Sequence, residues 1–411
     1  MINKNSIGTN RPVRILFMAF GYSIHAQRRI GLFAADPAFQ VAVVSTYNYN
    51  FSNAQNVLLD PHKNILVSFS RRIILKIRSI ADNFVLLFLS DLIRDVWDYK
   101  ELRSFIKEFK PDIIFLQTLI YPCYLSLLLP RSLPIIITFW NGDVLWWAKY
   151  TGIERIIKKQ IVTYGTKRAV GLTVNSQSAL SACLNYGASP EKIHLIRYPG
   201  VDLKHFYAMD KNASKDKVGI SRERKVVFCP RGLGSYLNSD VIVNAAALVL
   251  RKYPQALFLF VSGVGGSAEL ERHQKIAIEL GVSDGFRWEG QVPWTSMPYY
   301  YNASDVMVSI ASNDSLPSCM LESMACGVPV IMGDIPQIQE WITDGDNGFL
   351  VPPCDEAFLA EKIVKVFENK NKIVDVMIQK NITRVWLDVD SQVNTEKIKN
   401  LVISMANKNK N

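Results

Sequence analysis

The sequence has no apolar run long enough to cross a bilayer. Its longest, FVLLFLSDLI at 84–93, falls short of a spanning helix and carries Asp91. A polar opening leads directly into the strand-like VRILFMAF, so the basic, apolar and cleavage-site succession of a secretory signal is missing, and a cytoplasmic chain is expected. Cysteine is sparse. The six stand at 123, 183, 229, 319, 326 and 354 without paired short spacing, several inside apolar runs, which suits reduced core thiols and argues against a disulfide framework. The five histidines, at 25, 62, 194, 205 and 273, show no ligand spacing with each other or with cysteines, so no metal requirement is expected. Acidic residues are missing altogether from KNILVSFSRRIILKIRSI at 63–80, which holds five basic side chains among large apolar ones. This stretch reads either as a basic amphipathic face at an anionic membrane, continuing through 63–93, or as a surface helix packed on the core. Basic residues interleaved with aromatics are lacking there, so nucleic acid is not an expected partner.

What is present points to two folded bodies. A chain of 411 residues with 49% hydrophobic side chains exceeds the size of one growing core and can fill two. Its net charge of +10 suits an anionic partner. Short β-rich runs recur at VRILFMAF, QVAVVST, PDIIFLQ, LPIIITF, AVGLTVNS and KIHLIRY, separated by helix-length stretches. After a polar segment the rhythm restarts with VVFCPRG, ALFLFVSG, FRWEG, DVMVSIA, PVIMGDI and GFLVPP. That alternation predicts an α/β fold of two Rossmann-like, doubly wound domains facing across a cleft, with ligands at the carboxyl ends of strands. The expected divisions are 1–205, 206–385 and a terminal helical segment, 386–411, with a disordered tail; the linker is expected near 203–224.

The stretch NDSLPSCMLESMACGVPVI at 313–331 sets two carboxylates in an apolar, turn-rich setting. Pro317 suits a first helical position and Gly327 the position past the helix end, which predicts a helix of about ten residues. Glu322 inside it would lie close to a sheet, where a carboxylate needs a hydrogen-bonding partner. Amides near Ser318 and Cys319 at the helix start would receive a phosphate. Two carboxylates that accept from hydroxyls beside an anion site describe a pocket for a sugar nucleotide. The plainer alternative makes Asp314 a helix cap and Glu322 a solvated helix residue.

DSLPSCMLESMACGVPVI, followed by QEWITDGDNGFLVPP, resembles the signature region of the retaining GT-B glycosyltransferases of family 4. NYGASPEKIHLIRYPGVDLKHF, FCPRGL with YPQALFLFVSG, WEGQVPWTSMPYYYNASDVMVS and YSIHAQRRIG resemble further segments of that family in the same order; 50–105 is the weakest part. The resemblance implies that Glu322 holds the donor's ribose hydroxyls, that Asp314 and the loop through Leu316 contact the donor sugar, and that Arg231 pairs with the diphosphate. Asp314 stands where many members have Glu. A Lys usual a few residues after that Arg is absent, leaving Tyr236 and Asn238 as neutral donors to phosphate oxygens. SGVGG at 262–266, with Gly263, is either a glycine turn on a phosphate or a plain strand-end turn.

The acceptor side is expected in the first domain, where His25 follows the first strand and Arg28 would begin the next helix facing the same cleft. In TFWNGDVLWW, Trp140 and Asn141 occupy the place of a frequent family His; Asp143 is an acceptor carboxylate or a helix cap, and Trp146 and Trp147 stack on a sugar or pack in the core. The resemblance implies sugar transfer with retention, no cofactor beyond the nucleotide-diphosphate sugar, and a glycan or lipid-linked acceptor. It further implies a role in cell-surface polysaccharide or lipopolysaccharide synthesis at the inner face of the membrane, Arg231, Asp314 and His25 carrying the chemistry. The alternatives are a non-catalytic nucleotide-sugar-binding protein and a GT-B-fold epimerase or hydrolase.

Overall fold

A computed structural model describes residues 11–19, 24–46, 49–59, 84–140, 144, 152–261, 266–369 and 372–408. The chain divides into two units, one of Met1–Asn175, Ala179–Pro199 and Thr395–Asn411, the other of Ser176–Ser178 and Gly200–Asn394.

The first unit is built on β1 (Val13–Met18), β2 (Phe39–Ser45), β3 (Ala54–Leu58), β4 (Ile113–Leu116), β5 (Ile135–Thr138), β6 (Gly171–Val174) and β7 (Ile193–Leu195). They form one parallel sheet in the order β3-β2-β1-β4-β5-β6-β7. The inner strands are rich in β-branched and apolar residues on both faces because both faces are covered, whereas the edge strands β3 and β7 are partly exposed. Along β1, Ile15 and Phe17 enter one core while Leu16 and Met18 enter the other. Ala26, Ile30 and Phe33 of the helix Ile24–Ala34 fill the first of these, together with Ile398, Val402 and Ala406 near the carboxyl terminus.

The second unit carries β8 (Val226–Cys229), β9 (Leu257–Val261), β10 (Phe286–Glu289), β11 (Val306–Ser309), β12 (Val330–Gly333) and β13 (Phe349–Val351). The order is β10-β9-β8-β11-β12-β13, again all parallel. In each sheet the strand order reverses direction once, at β1/β4 and at β8/β11, and such switch points open crevices for ligands.

Two local expectations differ from the structure. The segment 203–224 is folded into the second unit: Phe206, Val218 and Ile220 are buried there, and Asp210 caps the helix Lys211–Lys217 by accepting the Ala213 N–H. Lys215, itself buried, donates to the carbonyls of Arg222 and Arg224. The terminal helical stretch is broken into Ile373–Asp388 and Ser391–Lys408. Val389 and Asp390 leave the helix because Val389 O accepts from Val201 N at 2.8 Å and Val201 O accepts from Ser391 N at 2.9 Å. The approach is so close that a Cβ on Gly200, whose φ is +73°, would lie 2.2 Å from Val389 O. The Asp390 carboxylate then caps the second helix through the Gln392 and Val393 amides.

Candidate functional site

The polar residues of the second unit gather at its switch point. Arg231 follows β8 and Asp314 follows β11, the two neighbours where the strand order reverses. Their side chains form an ion pair between Arg231 Nη1 and Asp314 Oδ2, with 24% and 14% of the side chains exposed. The other carboxylate oxygen, Oδ1, accepts the Ser315 N–H at 2.8 Å. Burial is the largest single influence on Arg231 and works to lower its pKa, but the charge and hydrogen bond of Asp314, with Cys319 and Tyr236, together outweigh it, and the net shift is upward. The guanidinium is therefore held in its charged form beside Asp314 at the switch point.

The helix behind Asp314 runs Ser318–Ala325 and is shorter than expected, because Pro317 is its N-cap and not its first helical residue. Pro317 O accepts the Met320 N–H at 3.1 Å, and the Ser318 and Cys319 amides open the helix at its positive end. At the other end Gly327, at φ +69°, closes a Schellman turn: Val328 N donates to Ser323 O and Gly327 N to Met324 O. The helix is thereby fixed at both termini.

Glu322 sits mid-helix at 9% exposure and accepts the Tyr301 hydroxyl through Oε2 at 2.9 Å. This is no solvated helix residue. Tyr301 is fully buried, and burial, with the Glu322 charge next, holds its phenol well above the usual range. Cys319 lies among these groups; burial pushes its thiol up to about 12, while the electrostatic influence of Arg231, Asp314 and Glu322 also reaches it. Tyr236 is half-buried, is close enough to favour the Arg231 charge, and accepts the Ser312 N–H through its carbonyl at 2.9 Å. Thus Arg231, Tyr236, Asp314, Cys319 and Glu322 converge, with Ser318 at the helix start. Leu316 lies in the same loop but packs its side chain on the core, which leaves its backbone to meet a ligand.

Asn238 is a correction. Its amide nitrogen donates to Ile310 O at 2.7 Å and to Ser312 Oγ at 2.8 Å, so both N–H groups tie one loop to the next and neither serves a phosphate. Its φ of +52° places it in the left-handed region, where the short turn Ser235–Leu237 passes into the helix Ser239–Lys252.

The first unit collects a second polar cluster at the carboxyl ends of β4 and β5. Arg29, 2% exposed, donates through Nη1 to Gln117 Oε1 at 3.2 Å and to Thr138 Oγ1 at 2.5 Å, and its guanidinium lies 4.2 Å from the Tyr198 ring centre. Burial lowers its pKa to about 10. Trp140 donates its indole N–H to Gln117 O at 2.5 Å, so its polar edge is bound to the protein. Arg28 lies in the second turn of the Ile24–Ala34 helix and does not begin it. His25 stands in the first turn of that helix, its side chain outside the described residues; Asp143, Gly263, Trp146, Trp147 and 63–83 also lie outside them, as do the side chains of 84–93.

Tyr301, Arg29, Ser239 and His273 drew no functional reading from the sequence. A helical signal exists for two of them: Arg29 shares its face with Ala26, Ile30 and Phe33, and His273 with Leu270 and Ala277.

Two parallel sheets of Rossmann order, the second with an anion-ready switch point, define the GT-B class of fold. The structure superimposes on HepE of Anabaena, solved with UDP, with a TM-score of 0.71 at 15% identity over 95% of this chain and 100% of that one. It superimposes equally on sucrose-phosphate synthase of Thermosynechococcus elongatus, with a TM-score of 0.71 at 16% identity over 95% of this chain and 98% of the other. The family model described as glycosyl transferases group 1 matches residues 210–384, and that described as glycosyltransferase family 4 matches 39–205. The chain belongs to the GT-B glycosyltransferases of the group 1, family 4 type. Among curated relatives, D-inositol 3-phosphate glycosyltransferase of Thermomonospora curvata is 29% identical over 224 residues, covering 52% of this chain and 51% of the relative. The one from Kribbella flavida is 33% identical over 174 residues, 41% of each. The chain spans about half the length of the curated relatives it matches.

Proposed function

We propose that this protein transfers a sugar from a nucleotide-diphosphate sugar, with retention at the anomeric carbon and without a metal, to a hydroxyl of a glycan or glycolipid in cell-surface polysaccharide synthesis. The observation that carries the reading is the convergence of Arg231, Asp314 and Glu322 at the β8/β11 switch point. Glu322, oriented by Tyr301, would accept from the ribose hydroxyls; Asp314 would accept from the sugar. A guanidinium forks onto phosphate oxygens, and Arg231, with the Ser318 and Cys319 amides, would offset charge on the leaving diphosphate. Arg231 offers N–H donors beyond the one that Asp314 takes.

In the step itself the bond from the anomeric carbon to the diphosphate oxygen breaks while the acceptor oxygen bonds to that carbon from the same face. The acceptor's proton passes to the departing diphosphate. Asp314 is held by a guanidinium and a backbone amide, which suits a hydrogen-bonding role and not that of a nucleophile. His25, Arg28, Trp140 and Asp143 would serve the acceptor, and His25 would also take part in the chemistry. No helix among the described residues is long and apolar enough to cross a membrane. A cytoplasmic location with peripheral contact through the basic stretch 63–93 is part of this reading, supported by the charge of +10.

The second reading is a nucleotide-sugar-binding protein without turnover, favoured by one observation: no Lys follows Arg231 where the family pattern places one, and Tyr236 and Asn238 stand there instead. Incubation with radiolabelled UDP-, GDP- and ADP-hexoses and lipid-linked glycans from the producing cells, with EDTA present, separates the two. Label in the lipid fraction, with an anomeric configuration by NMR matching the donor, supports transfer. Binding without transfer leaves the second reading, and an inverted product contradicts the mechanism.

A further inference from the structure

Behind the loop that carries Arg231 lies a buried polar chain that the donor site as described does not use. His273, on the helix Ser267–Glu279, and Ser239, at the start of the helix Ser239–Lys252, are both 0% exposed. His273 Nδ1 lies 2.6 Å from Glu269 O, and a carbonyl only accepts, so Nδ1 bears the hydrogen. The guanidinium of Arg272, which can only donate, also faces Nε2, so Nε2 is assigned as the acceptor for the Ser239 hydroxyl at 2.8 Å. The Ser239 oxygen, its own hydrogen so committed, accepts the Gly234 N–H at 2.9 Å. Ser239 Oγ also lies 3.4 Å from Gly234 O, a longer contact than the 2.8 Å one to His273. Among the described residues, the charged groups that face the imidazole are Arg272, with Nη2 3.4 Å from Nε2, and Glu269, with Oε2 3.8 Å from Nδ1.

Gly234 is the last residue of the loop between β8 and the short turn Ser235–Leu237, which it caps, and it is buried. Arg231 precedes it by three positions and Tyr236 follows by two. A buried amide without a partner costs about as much as it would gain from a good hydrogen bond, so this loop is ordered where Ser239 meets it. Leu233 is buried in the core, and Tyr236 and Asn238 tie the far end of the loop to Ser312 and Ile310, but Gly232 at φ +78° and Gly234 have no side chains, so Ser239 is the tether at Gly234 itself.

We propose that His273 is a positioning residue of the donor site: as a neutral acceptor it fixes the Ser239 hydroxyl, which fixes Gly234 and with it the placement of Arg231 and Tyr236 toward the nucleoside diphosphate. This rests on the donor-site reading above. An ordinary core residue at 273 would support stability only. A positioning residue also sets the affinity for diphosphate, and an acceptor of similar reach should restore it.

The test compares wild type with His273→Leu, His273→Gln and Ser239→Ala in the full chain. Hydrogen exchange at the Gly234 amide reports the loop, and calorimetric titration with UDP, GDP and ADP reports the site. In His273→Leu, Gly234 exchange should rise and the Kd of the nucleotide that binds wild type should weaken by about tenfold, the scale of one buried hydrogen bond. Restoration to within about threefold by His273→Gln, whose amide oxygen also accepts, is expected. A folded His273→Leu with unchanged Gly234 exchange and unchanged Kd overturns the proposal. If His273→Leu does not fold, Ser239→Ala, which removes a single oxygen, carries the same two readouts. If Gly234 exchange responds but wild type binds none of the three nucleotides, the network stands while the donor-site reading fails, and the role assigned to His273 falls with it.

Discussion

Replacing Tyr301 by Phe would remove one oxygen from the interior of the second unit and keep the ring. The ring centroid lies 5.1 Å from that of Phe228 and 5.9 Å from that of Phe206, contacts that Phe preserves. What goes is the donor to Glu322 Oε2, at 2.9 Å and out of water. A hydrogen bond to a charged acceptor contributes about 1.5–3 kcal/mol, and Glu322 would stay buried with one donor fewer. The expected loss is about 2 kcal/mol, or roughly 4–8 °C in the Tm of a unit this size. Scanning calorimetry measures it, with Tyr300→Phe as control: Tyr300 meets Glu289 only at 3.4 Å and is half-buried, so its change should stay within about 0.5 kcal/mol. Nucleoside diphosphate affinity should fall about fivefold to tenfold in Tyr301→Phe, because Glu322 loses the group that orients it. There is also an alkaline signature. Burial, then Glu322, raises the native phenol above its unfolded value near about 10, so above that pH the unfolded state binds fewer protons and stability falls. The variant should lack that share of the alkaline loss. Unchanged Tm and unchanged affinity in Tyr301→Phe would refute the reasoning.

Further outcomes follow from other contacts. Iodoacetamide at pH 8 should label exposed Cys354 in the native protein and spare Cys319, whose thiol burial pushes up to about 12; mass spectrometry of the labelled peptides decides it. Asp36 pairs with Lys399 at 2.6 Å, and although burial raises its pKa, the Lys399 hydrogen bond and the Ala38 amide lower it further, for a net downward shift. That stability is present above the unfolded value near about 3.9 and is lost as pH falls through the folded one; Lys399→Met should be less stable by about 0.5–1 kcal/mol at pH 5–8, a difference that closes in acid denaturation profiles below about pH 4. Gly327→Ala forces a side chain into φ +69° while its Cβ meets only ordinary contacts from 3.5 Å, so urea denaturation should show a loss of about 1–2 kcal/mol.

The alternation of apolar runs was sufficient to place the twelve strands quoted from the sequence, because a parallel sheet buried on both faces leaves uninterrupted β-branched runs. It passed over β3, where AQNVL carries Gln55 and Asn56 at the edge of the sheet and only a partial apolar pattern. Residues 203–224 read as a linker because the helix Lys211–Lys217 is polar by composition; the burial of Phe206, Val218 and Ile220 is a tertiary fact. Of the site, Arg231, Asp314 and Glu322 could be named from their motif, whereas Tyr301 could not be singled out among three consecutive tyrosines, since only packing shows which one faces Glu322. Arg29 was masked by Arg28 beside it, and the helical face that distinguishes the two becomes decisive only once the sheet beneath is known.

The central claim is that the β8/β11 crevice holds a nucleoside diphosphate through Glu322 and Arg231. Its most direct test is a thermal-shift and calorimetric screen of UDP, GDP, ADP, CMP and dTDP, in EDTA, on wild type, Glu322→Ala and Arg231→Ala. The account predicts selective stabilisation by one nucleoside diphosphate, indifferent to chelator and lost in both variants. Binding by none of them, or binding that both variants retain, would contradict it.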